Sequence, residues 1–335
     1  MQKPILTALI ASLLTLSLSA CQAGSGSSST RALSARTGTT DASTAQTAAA
    51  ATGASTAQTT ITDSAATSGS AAADTTAATT AELAAAAVTL PETVIFQQNG
   101  LTITPKGLED DPIWGLGIKL NIDNQTERNL MVQSSYAAVD QYMTEALFSC
   151  DIAAGKSAND TLYLGSSGLE AAGIIAPGEI RLHLSVADSD NYETVLEPAE
   201  MVLQTSAYGQ TDVPEPSEDG IELLNQDGVR IVGRYVDDSS FWGAGILLLL
   251  DNQTGQDILV QCDNMSVNDV MITPYFSSTV FAGCRGYSEI TLLSSDLEEN
   301  GITSIDKAEL TFNIYNASDY SSLIQTDPLQ FTVGS

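Results

Sequence analysis

The chain contains two copies of one module, offset by 128 residues. The motif Trp-Gly-x-Gly-Ile at residues 114–118 recurs at 242–246, and Asp-Asn-Gln-Thr at 123–126 recurs unchanged at 251–254. The offset holds without a gap until Tyr192 of the first copy. A fixed offset of this length indicates a duplicated domain, so the fold of one copy must also suit the other.

Each copy has the sequence features of an all-β fold. Asn99-Gly100 and Asp227-Gly228 predict two-residue hairpin turns, because both central residues of such a turn need positive φ. Residues 118–122 alternate apolar and polar side chains, the pattern of a strand with one buried face. About seven short strands fit in each copy. The sequence therefore predicts two tandem immunoglobulin-like β-sandwich domains, with a barrel as the alternative.

One short helix is predicted in each copy. Ser167 with Glu170, and Ser295 with Glu298, fit a capping box, in which a hydroxyl and a carboxylate satisfy free backbone amides. A glycine follows where a helix C-cap belongs, at Gly173 in the first copy. The spacing leaves room for only a few helical residues between these two signals.

Residues 1–20 are predicted to be an export signal. Lys3 supplies the positive start, and the apolar run at 5–18 is shorter than the roughly 20 residues of a membrane-spanning helix. The tetrapeptide Leu-Ser-Ala-Cys that ends at Cys21 resembles the lipobox of bacterial lipoproteins. The resemblance implies lipidation of Cys21, with acyl chains such as palmitate, and anchoring on the extracytoplasmic face of the cell membrane.

Residues 21–90 consist almost entirely of Ala, Thr, Ser and Gly. Such a tract has too few large apolar side chains to offset the entropy of ordering, so a lipidated cysteine followed by a disordered linker is predicted. A flexible linker of this length has a root-mean-square reach of about 45 Å. The remaining chain divides into a β-sandwich domain at 91–206, a Pro-containing linker at 207–219 and a second domain at 220–335.

The chain is strongly acidic, with 41 Asp and Glu against 12 Lys and Arg. This charge repels phosphate backbones, so no nucleic-acid partner is expected. Loop carboxylates suit calcium, and the weak candidates are Asp110, Asp111, Asp237 and Asp238. Their spacing matches no EF-hand, and solvated acidic residues in turns are the commoner explanation. No resident metal or cofactor is therefore expected.

The sequence offers little that could catalyse a reaction. The single histidine, His183, lies between Leu182 and Leu184, so strand alternation sends it to the outward face, which is expected to be wet. No zinc-type Cys or His pair and no glycine-rich phosphate loop follows a strand. No catalysis is expected. A hydrolase built on paired carboxylates remains an alternative, and it would need two acids converging in one cleft.

Three cysteines follow Cys21, namely Cys150, Cys262 and Cys284. They occupy non-equivalent positions in the two copies, so no disulfide framework passed through the duplication. A bridge between Cys262 and Cys284 stays open, since sequence alone does not set the Cβ separation that a disulfide needs.

Trp114 and Trp242 occupy equivalent positions, directly after acidic residues and at the head of a strand. A tryptophan exposed beside carboxylates can stack on a sugar ring. Packing at the core or its rim is the alternative, because a bulky aromatic side chain usually buries most of its surface. The two tryptophans are therefore candidate interface residues.

The strand that follows Trp242 differs from its counterpart on its outward face. Lys119 and Asn121 of the first copy are replaced by Leu247 and Leu249 in the second. An apolar outer face is rarely left in water. It is therefore predicted to be covered by the first domain, by the linker near Tyr208 or by a partner protein, and Leu247 and Leu249 are candidate interface residues.

The repeats also resemble tandem repeats in lipoproteins of Gram-positive bacteria. The resemblance is carried by Trp114-Gly115, by Ala-Gly-Lys at 154–156 and by the segment 166–174; the second copy has Cys284 in place of the Lys. It implies β-sandwich domains in an extracytoplasmic setting and implies no activity.

These features together predict a membrane-anchored extracytoplasmic lipoprotein whose duplicated β-sandwich modules bind or interact without catalysis. Tandem modules on a tether suit a polymeric target such as a cell-wall glycan, and an envelope protein is another possible partner. The main alternative is an accessory subunit of a cell-envelope complex that docks through Leu247 and Leu249.

Overall fold

The duplication is visible in the strand pairing. A computed structural model describes residues 30–35, 88–210, 212–238, 240 and 242–333. These residues form antiparallel strands and two helices of six residues each, α1 (Ser166–Ala171) and α2 (Ser294–Glu299). In the part of the chain described, no helix is long and apolar enough to cross a membrane.

Copy one is a β-sandwich of immunoglobulin type. One sheet has the order β2-β3-β4-β7 and the facing sheet has the order β6-β5-β8-β9. Strand β6 pairs with both β5 and β7 and so links the sheets. The strands are β2 (Phe96–Gln98), β3 (Leu101–Asp111), β4 (Gly115–Asn124), β5 (Leu130–Val139), β6 (Tyr142–Ile152), β7 (Lys156–Leu164), β8 (Glu179–Asp188) and β9 (Thr194–Gln204).

Copy two repeats this topology. Its sheets have the orders β11-β12-β16 and β15-β13-β17-β19. The prediction of two immunoglobulin-like sandwiches is confirmed, and neither copy closes into a barrel. The strands are β10 (Ile221–Gln226), β11 (Val229–Asp237), β12 (Gly243–Asn252), β13 (Ile258–Val267), β14 (Val270–Met271), β15 (Ser277–Val280), β16 (Arg285–Leu293), β17 (Lys307–Asn316), β18 (Ser322–Gln325) and β19 (Leu329–Val333).

Period-two alternation builds the core of each copy. Along β8, Ile180, Leu182, Leu184 and Val186 are all at most 3% exposed, and the residues between them face outward. Fully burying one such side chain contributes roughly 1.5–3 kcal/mol. The alternating positions therefore supply the main driving force for the sandwich.

The predicted hairpin turns are present in both copies. Asn99 and Gly100 have φ values of 51° and 85°, and Asp227 and Gly228 have 51° and 84°. Positive φ at both central residues matches the twist of the flanking strands. The two turns have nearly the same backbone conformation, as duplicated sequence signals should.

A fully buried asparagine organises the Asp-Asn-Gln-Thr turn. Asn252 is 0% exposed, and its Nδ2 donates to the carbonyls of Gln256 (2.9 Å), Val280 (2.9 Å) and Phe281 (3.1 Å). Its Oδ1 accepts hydrogen bonds from the backbone N–H and hydroxyl of Thr254. The same side chain therefore bonds to three carbonyls, two of them buried, and fixes its own turn.

Asn124 makes the corresponding bonds in copy one. It is also 0% exposed and donates to the carbonyls of Arg128, Ile152 and Ala153. Thr126 donates to its Oδ1, as Thr254 does in copy two. The motif recurs unchanged because it performs the same packing task twice.

The helices are present, but their predicted capping boxes are wrong. The N-cap positions are Gly165 and Leu293, and no side chain caps either helix. Each helix begins two residues earlier than a capping Ser167 or Ser295 would require. The predicted glycine C-caps are confirmed, with φ of 73° at Gly173 and 67° at Gly301.

A strand from the N-terminal tract joins copy two. Strand β1 (Thr30–Ala35) pairs with β11 through Thr30 to Ala32 and with β19 through Leu33 to Ala35, so it bridges the two sheets. Leu33 is 6% exposed and belongs to the core of copy two. This corrects the predicted disordered linker at residues 30–35; residues 36–87 and the predicted lipidation site Cys21 lie outside the described residues.

Pairing over long range explains why local composition did not reveal β1. Arg31 forms an ion pair with Asp238 (Nε to Oδ2, 3.0 Å) and donates to the carbonyl of Ile305 (3.0 Å). A Cβ on Gly233 would lie only 2.7 Å from Leu33, so this glycine makes room for the strand. Copy one has Pro105 at the equivalent position.

Candidate functional site

Trp114 lies on an exposed turn between β3 and β4. Asp111 Oδ1 accepts the backbone N–H groups of Ile113 (2.8 Å) and Trp114 (2.9 Å), and this bonding defines the turn. The side chain of Trp114 is 50% exposed and that of Ile113 is 82% exposed. Of the two possibilities for Trp114, the structure shows a half-exposed ring at the surface.

A tyrosine and a carboxylate flank the Trp114 ring. The ring centroids of Trp114 and Tyr163 lie 6.2 Å apart, with planes inclined by 37°. Glu109 accepts a hydrogen bond from the Tyr163 hydroxyl (2.9 Å) and pairs with Lys119 (2.8 Å). These bonds, first from Lys119 and then from Tyr163, lower the pKa of Glu109. The carboxylate is therefore charged and held in place at the Tyr163 hydroxyl, and the Tyr163 ring in turn lies beside Trp114.

The second glycine of the Trp-Gly-x-Gly motif lets these side chains lie across strand β4. A Cβ on Gly117 would sit 2.8 Å from Cγ of Glu109 and 2.8 Å from Cγ2 of Thr161. The equivalent Gly245 of copy two leaves room for the Glu289 carboxylate in the same way, at 2.3 Å. Distances below about 3 Å are not tolerated between such atoms, so only glycine permits a carboxylate to rest there.

Copy two presents a similar edge with a different charge balance. Trp242 is 52% exposed, and its carbonyl accepts the backbone N–H (2.8 Å) and the hydroxyl (3.1 Å) of Ser294. Glu289 accepts hydrogen bonds from Ser240 and Thr291, both at 3.3 Å. Burial raises the pKa of Glu289. The two edges therefore both pair an exposed tryptophan with a carboxylate, but only copy one neutralises that carboxylate with a lysine.

The opposite pKa directions predict opposite responses to amide substitution. Glu289 is harder to ionise in the folded state than in the unfolded state, so copy two loses stability as pH rises through the folded pKa of this group. We expect E289Q to stabilise copy two by about 0.5–1 kcal/mol at pH 7, and the gain should disappear in acid. Thermal unfolding between pH 4 and 8 measures it (roughly the range in which carboxylates titrate).

The matched control is E109Q. Its carboxylate has a lowered pKa, so its charge contributes stability above the unfolded pKa that is lost as pH falls. E109Q should therefore lower, or leave unchanged, the stability of copy one at neutral pH. A stabilising effect of both substitutions would contradict the assignment.

The weak calcium candidates are not gathered into a site. Asp111 accepts turn amides, and Asp238 pairs with Arg31. Asp110 and Asp237 lie on the same edges, near the tryptophans. Among the described residues, no three or more acidic, histidine or cysteine side chains lie close enough together to hold a metal ion.

The apolar outer face of β12 is largely covered. Leu249 is 2% exposed and Leu247 is half-buried. The linker is hydrogen-bonded to the strands of this sheet, because Glu215 pairs with Arg285 (2.8 Å) and Glu218 pairs with Arg230 (3.0 Å). Copy one reaches the same sheet through Tyr142, which stacks on Tyr287, the residue paired with Leu249 on the neighbouring strand.

Copy one and copy two meet through residues that the sequence analysis did not single out for this contact. Tyr142 of copy one stacks on Tyr287 of copy two, with ring centroids 6.4 Å apart, and its hydroxyl donates to the carbonyl of Pro214 (2.7 Å) in the linker. The backbone N–H of Arg285 donates to the carbonyl of Gln141 (2.8 Å). The two sandwiches therefore share both side-chain and backbone contacts.

Apolar residues of copy one complete the core of copy two. Ala138 is 1% exposed and Met143 is 9% exposed, and both pack with the core of copy two. The backbone N–H of Phe281 points at Sδ of Met143 (3.4 Å). The junction is thus a packed interface and not a flexible hinge.

His183 lies at this junction and not in water. Its ring stacks on Phe281 with centroids 4.0 Å apart. Its Nε2 lies 3.5 Å from Glu200 of copy one, and its Nδ1 lies 3.5 Å from Asp257 of copy two. Strand alternation correctly placed His183 on the outward face, but copy two covers that face. With a carboxylate at each ring nitrogen, the histidine is arranged as a structural bridge.

Arg181 completes the junction beside a buried thiol. Its guanidinium donates to the carbonyl of Ala282 (2.9 Å), to Sγ of Cys284 (3.0 Å) and to Glu200 (2.6 Å). Burial raises the pKa of Cys284 to about 11, so this thiol stays protonated at neutral pH. Cys262 and Cys284, whose pairing was left open, are both free and buried, as is Cys150.

Comparison with known proteins adds little to this description. No protein-family model matches the chain, and no curated protein sequence matches it. Among solved structures, the chain is similar to a Salmonella enterica SafA pilin in complex with the SafB chaperone. That similarity has a TM-score of 0.19 and 11% sequence identity, and it covers 64% of this chain and 88% of that chain. The immunoglobulin-like fold is therefore assigned from the strand order alone.

Proposed function

We propose that this protein is a lipid-anchored, extracytoplasmic binding protein whose two sandwich modules recognise a cell-envelope polymer, with a cell-wall glycan as the target. The export signal and the lipobox ending at Cys21 support the location. The acidic surface supports a role outside the cell, where a high net charge keeps a protein soluble.

The observation that carries the proposal is the duplicated, half-exposed tryptophan. Trp114 and Trp242 are 50% and 52% exposed at equivalent strand heads. Exposing the apolar surface of a large aromatic ring to water is unfavourable. Two rings left exposed at a repeated position therefore favour a binding role. Tryptophan is also the residue type most enriched among residues that dominate binding energy.

The neighbouring groups suit a carbohydrate better than a flat apolar partner. A sugar ring presents C–H groups on one face and hydroxyls around its rim. The Trp114 ring can pack on the C–H face, while the Glu109 carboxylate and the Tyr163 hydroxyl oxygen can accept hydrogen bonds from the sugar hydroxyls at the rim. The fixed positions of these groups reduce the entropy lost on binding.

A packed junction between the copies adds to the effect of having two sites. Since His183, Phe281 and Met143 hold the sandwiches together, the two tryptophan edges keep a constant separation. A polymer with repeating units can engage both edges, and the second contact is then intramolecular. The affinity for a polymer should therefore exceed the affinity for a short fragment.

Binding to insoluble cell-wall glycan tests the proposal. We expect W114A and W242A each to lower the affinity about tenfold, and the double variant to lower it further. Y320A is the matched control, since Tyr320 is 69% exposed but lies away from both edges. Equal binding by wild type and double variant, with or without calcium, would contradict the proposal.

The lipid anchor is tested separately. C21S should move the protein from the membrane fraction to the soluble fraction without changing glycan binding by the folded modules. Retention of the C21S variant in the membrane fraction would contradict lipid anchoring and leave the glycan proposal to its own test.

A further inference from the structure

The contact between the copies joins two different surfaces of the same module. Copy two contributes what we name the docking end, and copy one contributes the receiving face. Because the two surfaces differ, each copy also owns one surface that this contact does not use. The docking end comprises Asp257, Phe281, Cys284 and Arg285, and the receiving face comprises Gln141, Met143, Arg181 and His183.

The unused docking end belongs to copy one. It lies 128 residues earlier in the chain, where the offset is unbroken. Lys156 and Ser157 are exposed, and Asn129 and Ala153 line a depression that also includes Tyr192. Its residues are Asn129, Ala153, Lys156 and Ser157.

The unused receiving face belongs to copy two. Met271, the counterpart of Met143, is 64% exposed. It lines a second depression together with Glu309 and Gln330. Gln330 of the neighbouring strand donates a hydrogen bond to Glu309. Its accessible residues are Asp269, Met271 and Glu309, whereas Thr311, the counterpart of His183, is buried.

The two unused surfaces carry complementary charges at the central position. In the existing contact, Arg181 reaches Sγ of Cys284 at 3.0 Å. The equivalent positions are Glu309 on the unused receiving face and Lys156 on the unused docking end. The same docking geometry would therefore bring a carboxylate to an ammonium group, and this pairing favours association.

We propose that this chain associates head to tail, with the docking end of copy one seated on the receiving face of copy two in a second chain. Every chain offers one surface of each kind, so the contact propagates into rows. Ala153 stands where Phe281 stacks on His183 in the existing contact. Because alanine has a much smaller side chain, the contact between chains is smaller than the contact within a chain and is reversible. The proposal is independent of both the lipid anchor and glycan binding.

Charge exchange tests the proposal in the full chain carrying C21S, by sedimentation velocity over a range of concentrations. Wild type should show mass that rises with concentration. K156E and E309K should each weaken self-association about tenfold or more, because like charges then face each other. An equimolar mixture of the two variants should restore association, since each docking end then meets an opposite charge.

Two controls separate this contact from general charge effects. K106E makes the same charge change at an exposed lysine outside both surfaces, and it should leave association unchanged. Mixing K156C with E309C in the presence of oxidised glutathione, which accepts the two electrons, should give a disulfide-linked pair, while K156C with K106C should not. A monomer at millimolar concentration, or equal effects of K156E and K106E, would overturn the proposal.

Discussion

Replacing Asn252 by alanine should destabilise copy two by about 3 kcal/mol or more. The side chain is fully buried and donates to three carbonyls, and the substitution leaves those acceptors without this donor. A buried acceptor that loses its partner costs about 1–3 kcal/mol. Chemical denaturation, followed by hydrogen exchange of β12 and β13, measures the loss.

Asn252→Asp sharpens the test because it keeps the shape of the side chain. A carboxylate oxygen would then face the carbonyl oxygens of Gln256, Val280 and Phe281. We expect a loss at neutral pH at least as large as for alanine. Gln253→Ala is the control, because its amide makes only an exposed bond to Asp251 in the same turn. Similar losses for Asn252 and Gln253 would contradict the role given to Asn252.

Replacing Leu33 by aspartate should detach β1 from copy two. Leu33 is 6% exposed within the core, and removing such a side chain typically costs about 2–5 kcal/mol, even without an added charge. Hydrogen exchange should show lost protection in β1 and in the edges of β11 and β19 that pair with it. Copy one should keep its protection.

Leu323→Ala is the control for Leu33. Leu323 lies in the same copy but is 38% exposed, so the substitution should change stability by less than about 0.5 kcal/mol. Unchanged protection of β11 and β19 in L33D would mean that β1 contributes nothing to copy two.

Signals that act locally in the chain were sufficient to predict the fold. The Asn99-Gly100 and Asp227-Gly228 turns, and alternation along β4 and β8, depend on neighbouring residues alone. The repeat then required both copies to have the same strand order. These features predicted two sandwiches without any knowledge of which strands meet.

Contacts between distant residues could not be predicted in the same way. Alternation indicates that His183 faces outward, but it does not say that Phe281 covers that face. The sequence feature that marks these contacts is a difference between the two copies at equivalent positions. Phe281 stands where copy one has Ala153, and Gly233 stands where copy one has Pro105. Such departures mark the places where a module meets something other than its own core.

The candidate site was predicted in part. The repeat identified Trp114 and Trp242 as candidate interface residues. Exposure to solvent distinguishes a binding ring from a packed one, and that exposure depends on the whole fold. Glu109 and Tyr163 come from strands far apart in sequence, so their meeting at the Trp114 ring required the sheet register.

The position of β1 reverses the order in which the two sandwiches are expected to follow Cys21. From the sequence alone, the first sandwich would be the nearer one. Between Cys21 and Thr30 even a fully extended chain spans only about 30 Å. A group attached to Cys21 is thereby kept close to the second sandwich. The longer segment 36–87 then connects β1 to the first sandwich. The second sandwich, although it comes later in the sequence, is therefore the one held closer to Cys21.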